Sequence, residues 1–204
     1  AFYSIDILLP VIQKEIFNST KRFLVATSYV KSEKAALDTQ SEKSRRLGQK
    51  LLIEASRNNT SWKDENLEFH LFDTKKSDKT KLITPENIRD VLYATTRMLH
   101  AWHIPAYIDG NPYIDGSYTS LCPVIQLAEL GYKKIICITT EHENTKLDLF
   151  SNRYIPEKIK DSEIIFIKPD CNLTDIGVDY FKTTKSGLEK AYQHGIEKGK
   201  ELLN

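Results

Sequence analysis

The residues able to do acid, base or nucleophile chemistry gather between Tyr107 and Thr140, a stretch that contains the tetrapeptide YIDG twice, at 107–110 and 113–116. The first copy runs into Asn111-Pro112 between two short apolar pieces. That is the composition of a tight turn, in which glycine takes the flexible position and Asp109 bonds local N–H groups. The second copy, Asp115-Gly116, ends an extended piece and is followed, after Ser117-Tyr118-Thr119, by a helical pattern. A carboxylate there projects from the C-terminal edge of a sheet into the crevice where open α/β sheets bind ligands. So placed, Asp115 can accept the proton of an attacking hydroxyl as a general base. Gly116 is its structural companion and leaves room for close backbone approach.

Complete catalytic signatures are absent from the sequence. No serine has glycine both two before and two after it, so the strand-to-helix elbow of α/β hydrolases is not encoded. None of the eight glycines falls into GxGxxG or a P-loop, which removes the backbone cradle that a nucleotide phosphate needs. His100 and His103 stand at i, i+3 near a helix end without a third His or Cys ligand nearby, so no metal is expected. Glu141-His142-Glu143 follows a strand and reads as a solvated loop, and His70 alternates within a strand as a surface or core residue. Cys122, Cys137 and Cys171 are odd in number, widely spaced and without a CxxC pair. That disfavours a disulfide framework and a zinc site and points to a reducing compartment. The Asn-x-Ser/Thr sequons at Asn18, Asn58, Asn59 and Asn172 read as chance in a chain rich in Asn and Thr.

These residues need a scaffold, and hydrophobic periodicity supplies one. Residues 4–17 carry Ile5, Leu8, Leu9, Ile12 and Ile16 at helical spacing, and 22–30 (RFLVATSYV) reads as a buried strand. The charged run 31–39 reads as a loop, 42–57 as a helix with Leu47, Leu51, Leu52 and Ala55 on one face, and 58–66 as its exit. A strand follows over 67–72 (LEFHLF), then an exposed turn over 73–81. Thr84 is the N-cap and Pro85 the first residue of a helix reaching Leu99. Residues 104–108 and 112–114 form a hairpin, and 120–130 a helix stopped by Gly131. Residues 133–139 (KKIICIT) read as a strand buried on both faces, 163–168 (EIIFIK) as another, and 179–185 and 186–203 as two closing helices. Helix, glycine and strand in that order are half of a parallel α/β unit. The expectation is one α/β domain over 1–204: an open sheet covered by helices, with about four core strands from this chain. Every strand is preceded by a helix, as though the sheet were joined part way through.

Composition narrows the function classes. The 204 residues hold 29 Lys+Arg against 28 Asp+Glu, a net charge of +1, so no basic field exists to attract a nucleic acid or an acidic membrane surface. No apolar run is long enough to span a bilayer, and Asp6 interrupts the opening stretch where a signal peptide would be continuously apolar. The chain opens at Ala1 without methionine and reads as a piece of something longer. Cytoplasmic residence, or delivery without a Sec signal, is the expected location.

The segment YIDGSYTSLCPVIQLAELGYKKIICITTE resembles the C-terminal catalytic segment of the patatin-like phospholipases, the lipid acyl hydrolases. In that family an Asp-Gly-Gly/Ala motif, a short loop, a helix and a strand follow one another. RFLVATS at 22–28, LYATT at 92–96 and IFIKPDCNL at 165–173 resemble further pieces of the family's C-terminal half, in order. Ser117 stands where Gly or Ala is usual, Thr96 where Ser is usual and His100 where Pro is common. The resemblance implies a three-layer α/β/α fold, of which this chain supplies the C-terminal part of the sheet and its helices. It also implies a Ser-Asp dyad without histidine, Asp115 being base to a serine on a Gly-x-Ser-x-Gly elbow. That elbow and the oxyanion loop would lie upstream, in the other half of the same protein, so the 204 residues alone are expected to be inactive. The implied substrate is a lipid or fatty-acyl ester, with no cofactor. The alternative is a non-catalytic patatin-like module that binds a lipid or a protein partner.

Overall fold

The computed structural model describes residues 2–179 and 182–203. In chain order these form α1 (Phe2–Asn18), β1 (Leu24–Val30), α2 (Glu33–Thr39), α3 (Ser44–Ser56), α4 (Ser61–Asn66), β2 (Leu67–Asp73), β3 (Lys81–Leu82) and α5 (Ile88–Ala94). There follow β4 (Tyr107–Ile108), β5 (Asn111–Asp115), α6 (Val124–Glu129), β6 (Lys134–Ile138), β7 (Lys158–Ile159), β8 (Ser162–Ile167) and α7 (Lys185–Leu203), with 3₁₀ turns over Gly116–Tyr118 and Leu173–Ile176. The protein is α/β. It divides into two compact units, the first reaching Leu121 and including Leu147–Asn152, the second comprising Cys122–Lys146 and the chain from Arg153 onward. Among the described residues no helix is long and apolar enough to cross a membrane.

The first unit is built on a five-stranded sheet in the order β3-β2-β1-β5-β4. β1 pairs antiparallel with both β2 and β5, and its side chains alternate between two cores. On one face Val25, Phe72 and Tyr113 pack with Leu9 of α1 and Ile88 and Val91 of α5. On the other, Val30, Leu67 and Ile114 pack with Ala35 of α2 and Leu51 and Ala55 of α3. Helices therefore cover both faces of this sheet. α1 docks through Ile5, Leu9 and Ile16, whereas Leu8 and Ile12, expected on the same inward face, are 57% and 38% exposed. The run 31–39, expected as a loop, holds α2, because Ser32 accepts the Ala35 N–H as an N-cap. Residues 58–66 similarly hold the short α4, and Lys81–Leu82 adds a parallel edge to β2. α5 is shorter than the expected 85–99. Beyond Ala94 the hydroxyls of Thr95 and Thr96 bond the carbonyls of Ala26 and Tyr93 and compete with a continuing helix. The hairpin between β4 and β5 turns on Asp109 and Gly110, both at positive φ (50° and 77°), the conformation that makes Asp-Gly the favoured pair.

The second unit carries a three-stranded sheet in the order β6-β8-β7, with β6 and β8 parallel. The four core strands expected in one sheet are all present, but β1 and β2 lie antiparallel in the first sheet and β6 and β8 parallel in the second. Hydrophobic pattern fixes which residues are extended and leaves the direction of pairing open. α6 begins at Val124 rather than Ser120, with Pro123 at its N-cap. β6 is not buried on both faces: Ile135 and Cys137 point inward, and Ile136 and Ile138 are exposed. Of the helix expected over 179–185, Tyr180 and Phe181 lie outside the described residues, and α7 starts at Lys185.

Candidate functional site

Asp115 is the last residue of β5 and stands opposite Thr27 of β1. Its backbone is held from two directions. The N–H donates to the Arg97 carbonyl at 3.2 Å, and the carbonyl accepts from Ser28 Oγ at 2.8 Å. The Ser28 hydroxyl, fully buried, is also bonded to Thr119 Oγ1 at 2.8 Å. The Asp115 side chain caps the 3₁₀ turn that follows, Oδ1 accepting the Ser117 N–H at 2.8 Å. Burial raises the Asp115 carboxyl above the ordinary aspartate range, and the Ser117 N–H and side chain oppose that rise in part. A half-buried carboxylate with a raised pKa and a fixed backbone is a better proton acceptor than an exposed one.

Gly116 is required here by space. A Cβ on it would stand 2.5 Å from the Ala26 carbonyl oxygen of β1. Thr95 Oγ1 donates to that same oxygen at 2.6 Å, so the strand cannot yield without breaking a second contact. The close approach brings the turn after Asp115 onto β1, and with it the Ser117 N–H that orients the carboxylate.

The register puts Asp115, Thr27 and His70 on one rung of the sheet, and Tyr113, Tyr29 and Glu68 two residues along, on the same face. His70 Nδ1 lies 3.0 Å from Tyr113 Oη and Nε2 lies 3.3 Å from Glu68 Oε1. Its ring stacks on Tyr29, with centroids 4.9 Å apart and planes 4° from parallel. Burial, together with the Lys81 ammonium, lowers the His70 pKa, and Glu68 opposes them. Two strand spacings, about 9–10 Å, separate His70 from Asp115, so the imidazole serves the aromatic row and leaves the carboxylate untouched.

The other residues singled out by the sequence do not join Asp115. Asp109 takes the Asn87 side-chain amide on Oδ2 at 3.2 Å, in place of the local N–H groups expected. His100 is half-buried, its pKa lowered by burial and by Arg45, while His103 is exposed. His142 Nε2 lies 3.9 Å from Glu143 Oε1 in an irregular segment. Among the described residues no three His, Cys, Asp or Glu side chains come together as a metal site. One pair was invisible in the spacing: Cys122 and Cys137 bring their sulfurs to 3.2 Å across 15 residues. The helix, glycine and strand order that predicts a fold-back between them was its one available signal. No family model, no curated protein and no solved structure matches the chain.

Proposed function

We propose that this chain supplies the general base of a patatin-like lipid acyl hydrolase, Asp115 acting in a Ser-Asp dyad whose serine and oxyanion donors come from a segment outside these residues. The observation that carries the reading is the Asp115 carboxylate at its strand end, half-buried, raised in pKa and oriented by Ser117. The helices on both faces of the first sheet are compatible with a three-layer α/β/α domain, and the family assignment rests on the sequence resemblance. In the reaction the serine proton passes to Asp115 as the oxygen attacks the ester carbonyl, and backbone N–H groups hold the resulting oxyanion. The protonated Asp115 then returns the proton to the leaving alcohol. Water repeats the cycle on the acyl-enzyme and releases the fatty acid.

In the complete protein, Asp115→Asn keeps an oxygen for the Ser117 N–H and removes the base. Hydrolysis of a p-nitrophenyl acyl ester should fall by about 10²–10⁴-fold with an unchanged circular dichroism spectrum. Undiminished turnover removes the assignment. A second reading, a non-catalytic module that binds a lipid or a protein, is favoured by the apolar stripe Ile7, Leu8, Val11 and Ile12 that α1 leaves exposed. It requires a complete protein with no esterase activity and with vesicle or partner binding that survives Asp115→Asn.

A further inference from the structure

Cys122 lies just ahead of α6, and Cys137 is the fourth residue of β6, on its buried face. Their Sγ atoms are 3.2 Å apart. A disulfide bond is about 2.0 Å long, so closure needs about 1.2 Å of movement by two sulfurs that already face each other. Cys122 is half-buried, within reach of a small oxidant, and Cys137 is buried behind it. The two sulfurs share a hydrogen-bond contact, and that contact, with the Val124 N–H, lowers the Cys122 pKa and favours its thiolate. The same bond, with burial, holds Cys137 as a thiol. Among the described residues Cys171 shares no such contact with another cysteine.

We propose that Cys122 and Cys137 form a reversible dithiol–disulfide site, oxidised by a peroxide, with Cys122 as the attacking and Cys137 as the resolving residue. In the first step the Cys122 thiolate attacks one peroxide oxygen and the O–O bond breaks. Cys122 becomes a sulfenic acid, and the hydroxide released takes up a proton to form water. In the second step the Cys137 sulfur attacks the Cys122 sulfur and the S–O bond breaks. The departing oxygen leaves as water with the Cys137 proton, and the disulfide remains. Two thiols and one peroxide give one disulfide and two waters, the peroxide being reduced by the two electrons that the thiols lose. The closed ring fastens the segment just ahead of α6 to the C-terminal end of β6 and constrains the unfolded chain across that fold-back.

The test treats the 204-residue chain with hydrogen peroxide, alkylates the remaining thiols, and reads intact mass and mapped peptides. The expected product has lost two hydrogens, carries a Cys122–Cys137 crosslinked peptide pair with Cys171 alkylated, and reverts with dithiothreitol. Cys171→Ser should leave this result unchanged. In Cys137→Ser, dimedone should trap a sulfenic acid at Cys122; in Cys122→Ser, it should leave Cys137 unlabelled. Three alkylatable thiols after peroxide, or a crosslink through Cys171, would overturn the site. Dimedone labelling of Cys137 in Cys122→Ser as fast as of Cys122 in Cys137→Ser would overturn the order of attack. The wild-type measurement stands without either variant.

Discussion

A half-buried carboxylate costs the fold something each time it ionises. Burial holds the Asp115 carboxyl above the ordinary range, so the folded chain keeps that proton more readily than the unfolded chain, where aspartate titrates near about 3.9. Its contribution to stability is therefore fully present below the unfolded pKa and is lost as pH rises through the higher folded pKa. Asp115→Asn carries no charge and retains the oxygen that caps the 3₁₀ turn. At pH 7 it should melt at a higher temperature than wild type, and the gap should close below about pH 4. Thermal melts at the two pH values check this, and a variant that is less stable at pH 7 would refute the burial cost. A gain in stability alongside a loss of hydrolysis separates a working base from a plain cap, because stability given up for activity marks a functional carboxylate.

Helices α3 and α7 each contain glycine, and their surroundings give the same substitution opposite signs. A Cβ on Gly48 in α3 would meet the His100 nitrogen at 2.3 Å and the Leu99 carbonyl carbon at 2.7 Å, backbone atoms that cannot swing aside. A Cβ on Gly195 in α7 would meet nothing within 4 Å. Alanine gains about 1 kcal/mol of helix propensity over glycine, and forced displacement of packed backbone costs about 1–3 kcal/mol. Gly195→Ala should stabilise the chain by about 1 kcal/mol, and Gly48→Ala should lower stability by up to about 2 kcal/mol net. Urea melts of the two variants decide it, and equal signs would contradict the packing of α3. The same contrast between local and distant information governs what the sequence discloses. β1, β2, β6 and β8 and the Asp109-Gly110 turn were legible because short apolar and β-branched runs, alternation and turn chemistry are all local. Asp115 was legible as the end of a strand ahead of a turn, but its anchor at Ser28 lies 87 residues away and leaves no mark in its own segment. α2 escaped because its 7 residues are too few to show a helical period and its start depends on one serine cap. The one-sided burial of β6 escaped because a continuous apolar run reads the same whether or not both faces are covered.

Among the described residues, β6 leaves large apolar side chains open to solvent. β6 lies at the edge of its sheet, and among the described residues nothing pairs with its open side. Ile136 and Ile138 are 53% and 76% exposed, and across the ladder Ile165 and Ile167 of β8 stand beside them, so this face of the pair is an apolar strip. Lys134 and Glu163 place charge at one end of it. Native edges are usually blunted by charge, proline or a bulge along their length, and an apolar edge left open recruits another strand. A second copy of this chain carries that same edge, and full burial of each isoleucine side chain is worth about 1.5–3 kcal/mol. Sedimentation of the 204-residue chain should therefore show self-association that rises with concentration. Ile138→Lys should shift it to monomer without lowering the melting temperature, because a side chain so exposed contributes little to its own core. A wild-type chain that sediments as monomer throughout would show that the strip is tolerated in water, and an Ile138→Lys chain that still associates would move the contact to another surface.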